Sequence, residues 1–322
     1  MRVAVLGLGS AGRRHVRHLL GLGHDVVGFD PSAPMPDGVA GSKTFGSAIE
    51  TADAVVVASP NAHHAEHALR AIEHRRPVLV EKPLAADAED ARRIVDAADA
   101  AGVQCGAAMN LRFHPGLLYL KHLIDRDVLG PVRLAQASFG FDLRLWRPGT
   151  DYRESYSARA DLGGGIVLDA IHELDYLVWL LGPVASVSAQ VAKISDLEVD
   201  VEDAAVAALR FESGALGSVD LNFFEPAYRR SCVVVGTEAA ARWDWSREAV
   251  EVTRHGAPSH IEVTRCDIDD TYRDEIVDFL DAVEEGRPPR TPARDALAAV
   301  EVATAIAQSA SSGSRVNLGN TS

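Results

Sequence analysis

The chain has 322 residues, a length that predicts two domains, and its 47% apolar and 24% charged residues give the balance of an ordinary globular protein. Acidic residues outnumber basic ones 46 to 32, for a formal net charge of -14, which argues against a nucleic-acid footprint and against an anionic membrane surface. The expected partners are a small molecule and further copies of the chain. No apolar run approaches the ~20 residues that span a bilayer, and Met1 leads directly into the strand-like RVAVLG, so neither a membrane segment nor a signal peptide is expected and the expected location is the cytoplasm. Cys105, Cys232 and Cys266 form no CxxC pair and read as reduced thiols. Only four basic residues are lysines: Lys43, Lys82, Lys121 and Lys193.

Five short apolar runs open the chain: Val3 to Leu6, Val26 to Phe29, Ala54 to Ala58, Val78 to Val80 and Val103 to Ala107. Their brevity and lack of alternation predict strands buried on both faces. Helical patterns lie between them at Ala11 to Leu22, His63 to His74 and Asp87 to Ala101, which makes βαβ units and a parallel sheet. Pro31 to Lys43 reads as a loop. After Asn110 the rhythm changes. A helix is predicted over Pro115 to Asp127, then a stretch of arginines and aromatics, then an apolar helix over Ile166 to Leu181. Strands follow at Val184 to Ile194, Ala204 to Phe211, Ala215 to Phe223, Ser231 to Val235 and Ile261 to Arg265, joined by turns such as Ser213-Gly214, and helices at Arg273 to Glu284 and Ala293 to Ser309 close the chain. The tail from Ser309 reads as poorly ordered. The expected fold is α/β: a doubly wound Rossmann domain over residues 1–115, then an α+β domain over 116–322 with a large, open, mainly antiparallel sheet. The strand Ala215 to Phe223 is apolar with little alternation, which predicts a sheet covered by another subunit in a dimer or tetramer.

VAVLGLGSAGRRH sets Gly7, Gly9 and Gly12 in the spacing GxGxxG between a predicted strand and a predicted helix. In that context Gly7 permits the tight turn, Gly9 lets the backbone approach a pyrophosphate, and Gly12 lets helix and strand pack closely. The second strand ends in Asp30, eighteen residues beyond Gly12, where a carboxylate accepts bonds from ribose hydroxyls. A carboxylate there repels the extra phosphate of NADP, and Pro31, Ser32 and Ala33 supply no arginine, so NAD is the expected cofactor. The third strand runs into Ser59, Pro60 and Asn61, where the cofactor would cross the strand ends. Asn61 is equally readable as a helix N-cap.

VLVEKPL at the fourth strand, with GLGSAGRRH, SPNAHHAEHALRAI, NLRFHP from Asn110 and GGGIVLDAIHELDYLVWLLG from Gly163, resembles the Gfo/Idh/MocA oxidoreductases, the glucose-fructose oxidoreductase and inositol dehydrogenase family. The five marks occur in order along essentially the whole chain. The resemblance implies a Rossmann domain followed by an open-sheet domain, and oxidation or reduction of a carbinol on a sugar or cyclitol with NAD(P). It places Ser10, Ala11, His64, Glu81 and Lys82 at the cofactor and Asn110 and Arg112 at the substrate. Many members carry Asp and His four residues apart on the helix near Ile166; here Asp169 and His172 are three apart. His172, Asp175 and Trp179 keep His172 in register with the family.

On that helix Asp169, His172, Glu173 and Tyr176 fall at i, i+3, i+4 and i+7, one polar stripe on an apolar cylinder. A histidine titrates near neutrality and suits proton transfer. With the resemblance, His172 is the expected base, Lys82 the residue that orients the substrate oxygen at the end of a parallel strand, and Asp169 their support. His63, His64 and His67 show no third ligand and no metal is expected. Between Arg144 and Arg159, Trp146, Tyr152 and Tyr156 accompany four arginines, Arg147 and Arg153 among them. Aromatic faces stack on sugar rings and arginine forks hold anions, so the segment reads as a lid for an anionic sugar or, equally, as a subunit contact. Two other readings stay open at this level. One is a non-catalytic NAD-binding sugar sensor; the other is a redox-assisted lyase or glycosidase that retains NAD.

Overall fold

The computed structural model describes residues 1–319, which divide by packing into two units: Met1–Asn110 with Ile268–Val300, and Leu111–Asp267 with the chain from Glu301 onward. The second unit was expected to hold everything after residue 115. Instead the stretch 268–300 packs with the first.

In the first unit, β1 (Arg2–Leu6), α1 (Ser10–Gly21), β2 (Asp25–Phe29), β3 (Ala40–Gly41), α2 (Phe45–Glu50), β4 (Ala54–Val57), α3 (His64–Glu73), β5 (Val78–Glu81), α4 (Ala88–Ala101) and β6 (Cys105–Ala108) follow in order. The strands pair in parallel as β3-β2-β1-β4-β5-β6, so the order reverses direction at β1. Ligands of such sheets bind where the strand order reverses, beyond the carboxyl ends. The segment read as a loop after β2 contains β3, and α2 was missed altogether. Thr44 and Ser47 start α2 with a reciprocal capping box, and Asp87 caps α4, which ends at Gly102 in the left-handed region.

The second unit contains α5 (Pro115–Asp125), β7 (Val132–Gly140), α6 (Ile166–Asp169), α7 (Ile171–Leu181), β8 (Val184–Ala192), β9 (Ala204–Phe211), β10 (Leu216–Asn222), β11 (Arg229–Gly236), β12 (Ala239–Asp244), β13 (Ala249–Arg254) and β14 (His260–Val263). Its sheet has nine strands in the order β14-β13-β12-β11-β7-β10-β9-β8-β15, where β15 is Val316–Asn317. All pairs are antiparallel except β7 with β10. Strands β7, β12 and β13 were not foreseen. The tail is also more ordered than expected, since α9 (Ala293–Ser312) and β15 occupy it as far as Asn317, and residues 320–322 lie outside the described chain.

α5, α6 and α7 pack on one face of this sheet. β9 alternates strictly, with Ala205, Ala207, Leu209 and Phe211 buried and Val206, Ala208 and Arg210 exposed, so the other face is open. β10 alternates too, with Leu216 and Asp220 exposed against buried Val219 and Leu221, contrary to the unbroken apolar reading.

The remaining helix, α8 (Ile268–Glu285), lies against α1. Ile276, Phe279 and Leu280 enter the same buried cluster as Val3, Val5, Val16 and Leu19. Arg17 and His18 of α1 meet Asp269 at the start of α8.

Candidate active site

The first unit presents the nucleotide cradle. Gly7 has φ +94, and a Cβ there would overlap the Ala58–Ser59 backbone; a Cβ on Gly12 would overlap the Gly7 carbonyl, whereas space above Gly9 is open. Gly7 and Gly12 therefore hold the turn, and Gly9 with Ser10 and Ala11 offers bare backbone at the start of α1. Asp30 lies alongside: its Oδ2 accepts the Leu8 N–H at 2.7 Å, and its Oδ1 accepts those of Ser32 and Ala33 at 2.8 and 2.6 Å. Burial opposes ionisation, but the three N–H bonds outweigh it and hold the carboxyl below the usual aspartate range. Arg13, which neighbouring positions along the chain did not reveal, bonds the Leu8 and Pro34 carbonyls and brings a cation to the same loop. These groups fit a dinucleotide whose ribose meets a carboxylate.

The loop after β4 is held by two histidines. Ser59 Oγ lies 3.0 Å from His67 Nδ1, and the Ser59 carbonyl lies 2.8 Å from His64 Nε2. His67 is buried against Phe45, and desolvation lowers its pKa to about 4, so it stays neutral. The turn 61–63 is entered from Pro60, so Asn61 is not its cap; it is buried, at 5% exposure. His64 was expected to touch the cofactor, but both its ring nitrogens face protein carbonyls, those of Ser59 and Pro83.

At the end of β5, Glu81 accepts a bond from His15 Nε2 at 2.7 Å and from the Lys82 N–H at 3.1 Å. Burial raises its pKa, but His15 and the Lys82 charge prevail and keep it an anion. Its carboxylate, expected at the cofactor, is thus held by two partners inside the protein. Lys82 is half-buried and precedes a cis peptide to Pro83. Asn110, expected at the substrate, is buried and donates through Nδ2 to Thr271 Oγ1 at 2.8 Å, which ties it to α8.

The second unit carries the acid and the histidine. The predicted helix over 166–181 is two helices, α6 and α7, broken at Ala170 (φ -93, ψ 29). α6 starts from a glycine loop that admits no side chain: a Cβ on Gly164 would strike the Tyr156 carbonyl, and one on Gly165 (φ +114) the Glu202 carboxyl. The Ile166 N–H bonds the Glu202 carbonyl and the Val167 N–H its Oε1. Burial, then the Asp169 and Asp203 charges, raise the Glu202 pKa. Asp169, 4% exposed, accepts the Tyr156 hydroxyl at 2.9 Å, and His172, 6% exposed, follows across the break.

The rest of the polar stripe is structural. Glu173, fully buried, meets Arg230 at 2.9 Å, and Tyr176 reaches the Ser231 carbonyl at 3.4 Å. Asp175 takes Arg112, the residue expected at the substrate, in two bonds of 2.7 and 2.9 Å with both side chains 2% exposed, which makes it a buried brace of α7. In the arginine segment, Arg144 pairs with Asp142 and Asp196, Arg153 with Asp151 and Glu198, and Arg159 with Asp161. Arg147 differs: its guanidinium lies over the Tyr156 ring, 5.2 Å from the centroid. Trp146 is anchored by its Nε1–H to the Phe141 carbonyl, and the Tyr152 hydroxyl accepts the Glu198 N–H.

Comparison with known proteins matches both units to one family. Residues 42–109 match the oxidoreductase family with NAD-binding Rossmann fold, and residues 117–242 match the GFO/IDH/MocA C-terminal domain. Inositol 2-dehydrogenase 3 of Saccharopolyspora erythraea is 31% identical over 97% of this chain and 94% of its own. D-xylose 1-dehydrogenase (NADP(+)) 2 of Haloferax volcanii is 29% identical over 84% and 81%. The WlbA dehydrogenase of Bordetella pertussis, crystallised with NADH and UDP-GlcNAcA, superposes with a TM-score of 0.85 at 25% identity, over 99% of this chain and 98% of that one. With the glycine cradle and Asp30 in one unit and the open-sheet domain in the other, the chain belongs to the Gfo/Idh/MocA family of NAD(P)-dependent oxidoreductases acting on CH–OH groups.

Proposed function

We propose that the protein oxidises a ring hydroxyl of a sugar or cyclitol, with His172 as the proton acceptor, Lys82 orienting the same oxygen and Asp169 as support, and that it does so in the cytoplasm, where the nicotinamide pool is. The observation that carries the reading is the buried Asp169, bonded to Tyr156 and followed across the Ala170 break by buried His172, in a chain that also holds a dinucleotide cradle. NAD supplies the hydride acceptor when bound. The substrate O–H proton passes to the His172 imidazole as the carbinol becomes a carbonyl, and the Lys82 ammonium donates a hydrogen bond to that oxygen. Asp169, fixed by Tyr156, holds its carboxylate in place without a solvent shell.

The relatives' names, an inositol dehydrogenase and a xylose dehydrogenase, support a polyhydroxylated ring as substrate. Arg147 supports a ring with an anionic group, because the other three arginines of its segment each meet a carboxylate of the protein. The open sheet face supports a dimer or tetramer: Val206 and Leu216 are 59% and 53% exposed beside the small Ala208 and Ser218. The test is the absorbance of reduced nicotinamide with NAD and a panel of inositols, pentoses and hexuronates. Net formation of NADH is expected; turnover without it would replace this reading with that of a lyase, and binding without turnover with that of a sensor.

A further inference from the structure

His64 has an unusual position for a histidine, with both ring nitrogens facing backbone carbonyls. It is 1% exposed at the first turn of α3, and its ring spans two strand-end loops, with Nδ1 2.7 Å from the Pro83 carbonyl and Nε2 2.8 Å from that of Ser59. Both neighbours are acceptors, while a neutral imidazole has one N–H. Burial, the largest influence, lowers the His64 pKa against the two carbonyls and Glu81. The ring therefore donates to one of the two carbonyls when neutral and to both when protonated. On the opposite side of the same tripeptide, His15, wholly buried, holds Glu81 at 2.7 Å. Lys82 is thus the middle residue of a segment whose flanking residues are each fixed by a buried histidine, one from α1 and one from α3.

We propose that His64 is a positioning residue for Lys82: by fixing the Pro83 carbonyl relative to the Ser59 loop, it sets the backbone from which the lysine extends. A lysine side chain has four rotatable bonds, so its ammonium is placed only as well as its own backbone is. The inference rests on the reading of Lys82 as a site residue, but its test does not need a substrate.

The four lysines make that test direct. Reductive 13C-methylation gives one dimethyl-lysine signal per lysine, and Lys82→Arg identifies the Lys82 signal by its loss. In His64→Phe the Lys82 midpoint is expected to move by at least about half a pH unit, while those of Lys43, Lys121 and Lys193 stay within about 0.1. His64→Asn, which restores one N–H donor, is expected to recover at least half of that shift. A Lys82 midpoint unchanged in folded His64→Phe overturns the proposal, as does an equal shift of all four lysines. If His64→Phe does not fold, His64→Leu, which also lacks the N–H donor, is read in its place: a displaced Lys82 midpoint supports the role and an undisplaced one refutes it. Failure of the catalytic reading would show separately, as full turnover by Lys82→Ala.

Discussion

His172 and Lys82 enter the proposed chemistry as single side chains, and each has a direct test. His172→Ala and Lys82→Ala are expected to lower kcat by at least about tenfold while NAD still binds. The double variant should fall less than the product of the two, because both groups would act on one oxygen. Stopped assays on a substrate found in the sugar panel check this, and near-original rates in both single variants would reject the mechanism. Asp30 sets a second expectation. Its ionised carboxylate is expected to meet the ribose of a bound dinucleotide, so NAD should bind more tightly than NADP, and Asp30→Ala should narrow the gap by about tenfold, helped by Arg13 of α1, which reaches the same loop. Calorimetry with both cofactors on both proteins reads it. Arg147→Ala should raise KM for a hexuronate several-fold more than for the matching neutral hexose. Arg153→Ala, whose guanidinium already meets Asp151 and Glu198, should affect both alike. The sequence reading suggested both arginines equally: Asp151, two positions before Arg153, is visible along the chain, but the fold's delivery of Glu198 from 45 positions on is not. The Tyr156–Asp169 bond was hidden for the same reason: it joins a loop to a helix thirteen positions on.

Among the elements, α5 shows how a buried titratable cap couples pH to stability. His114 caps this helix with Nδ1 accepting the Gly116 N–H, 5% exposed between Trp243 and Trp245. Desolvation, then the Arg230 charge, lower its pKa from 6.5 to about 4. Below pH 6.5 the unfolded chain takes up a proton that the folded one refuses, so stability falls as pH drops from about 6.5 towards 4 and the loss levels off below that. The full contribution is on the order of 3 kcal/mol. Urea midpoints at pH 7 and pH 4.5 should therefore differ, and less so in His114→Asn, which keeps a capping oxygen but does not titrate there. Elements were legible where pattern and burial coincide. Five of the six strands of the first sheet are short apolar runs that lie within a residue or two of where the sequence puts them; the exception is the two-residue β3. β7 and β12 were poorly legible, because VRLAQASFG and AAARWD mix alanine and charge, residues poor in intrinsic strand preference, whereas AVEVTR of β13 did carry alternating Val250 and Val252 and was passed over. Pairing with neighbours makes them strands. The break at Ala170 was equally silent, with no glycine or proline to mark it. Its two sides are anchored separately, α6 by Glu202 and α7 by Arg112 and Arg230.

At the scale of the whole molecule, the open sheet face carries the expectation of assembly. Light scattering at micromolar concentration should report a multiple of 34.4 kDa, and Val206→Glu should shift it towards the single chain. A 34.4 kDa particle from the unmodified protein would reject the idea. The division into domains was readable only as far as residue 110, because composition cannot show that a helix near residue 276 belongs with a strand at residue 3. That placement of α8 has a consequence for how the protein is made. Ile276, Phe279 and Leu280 complete the cluster that also holds Val3, Val5 and Leu19. A ribosome that has delivered the whole parallel sheet has still not delivered three of its core side chains. Until α8 emerges, the dinucleotide cradle stands on an unfinished core with apolar surface open beside α1. A fragment cut after the last parallel strand inherits that deficit permanently, whereas one that rejoins residues 268–300 to 1–110 through a short linker has its core complete.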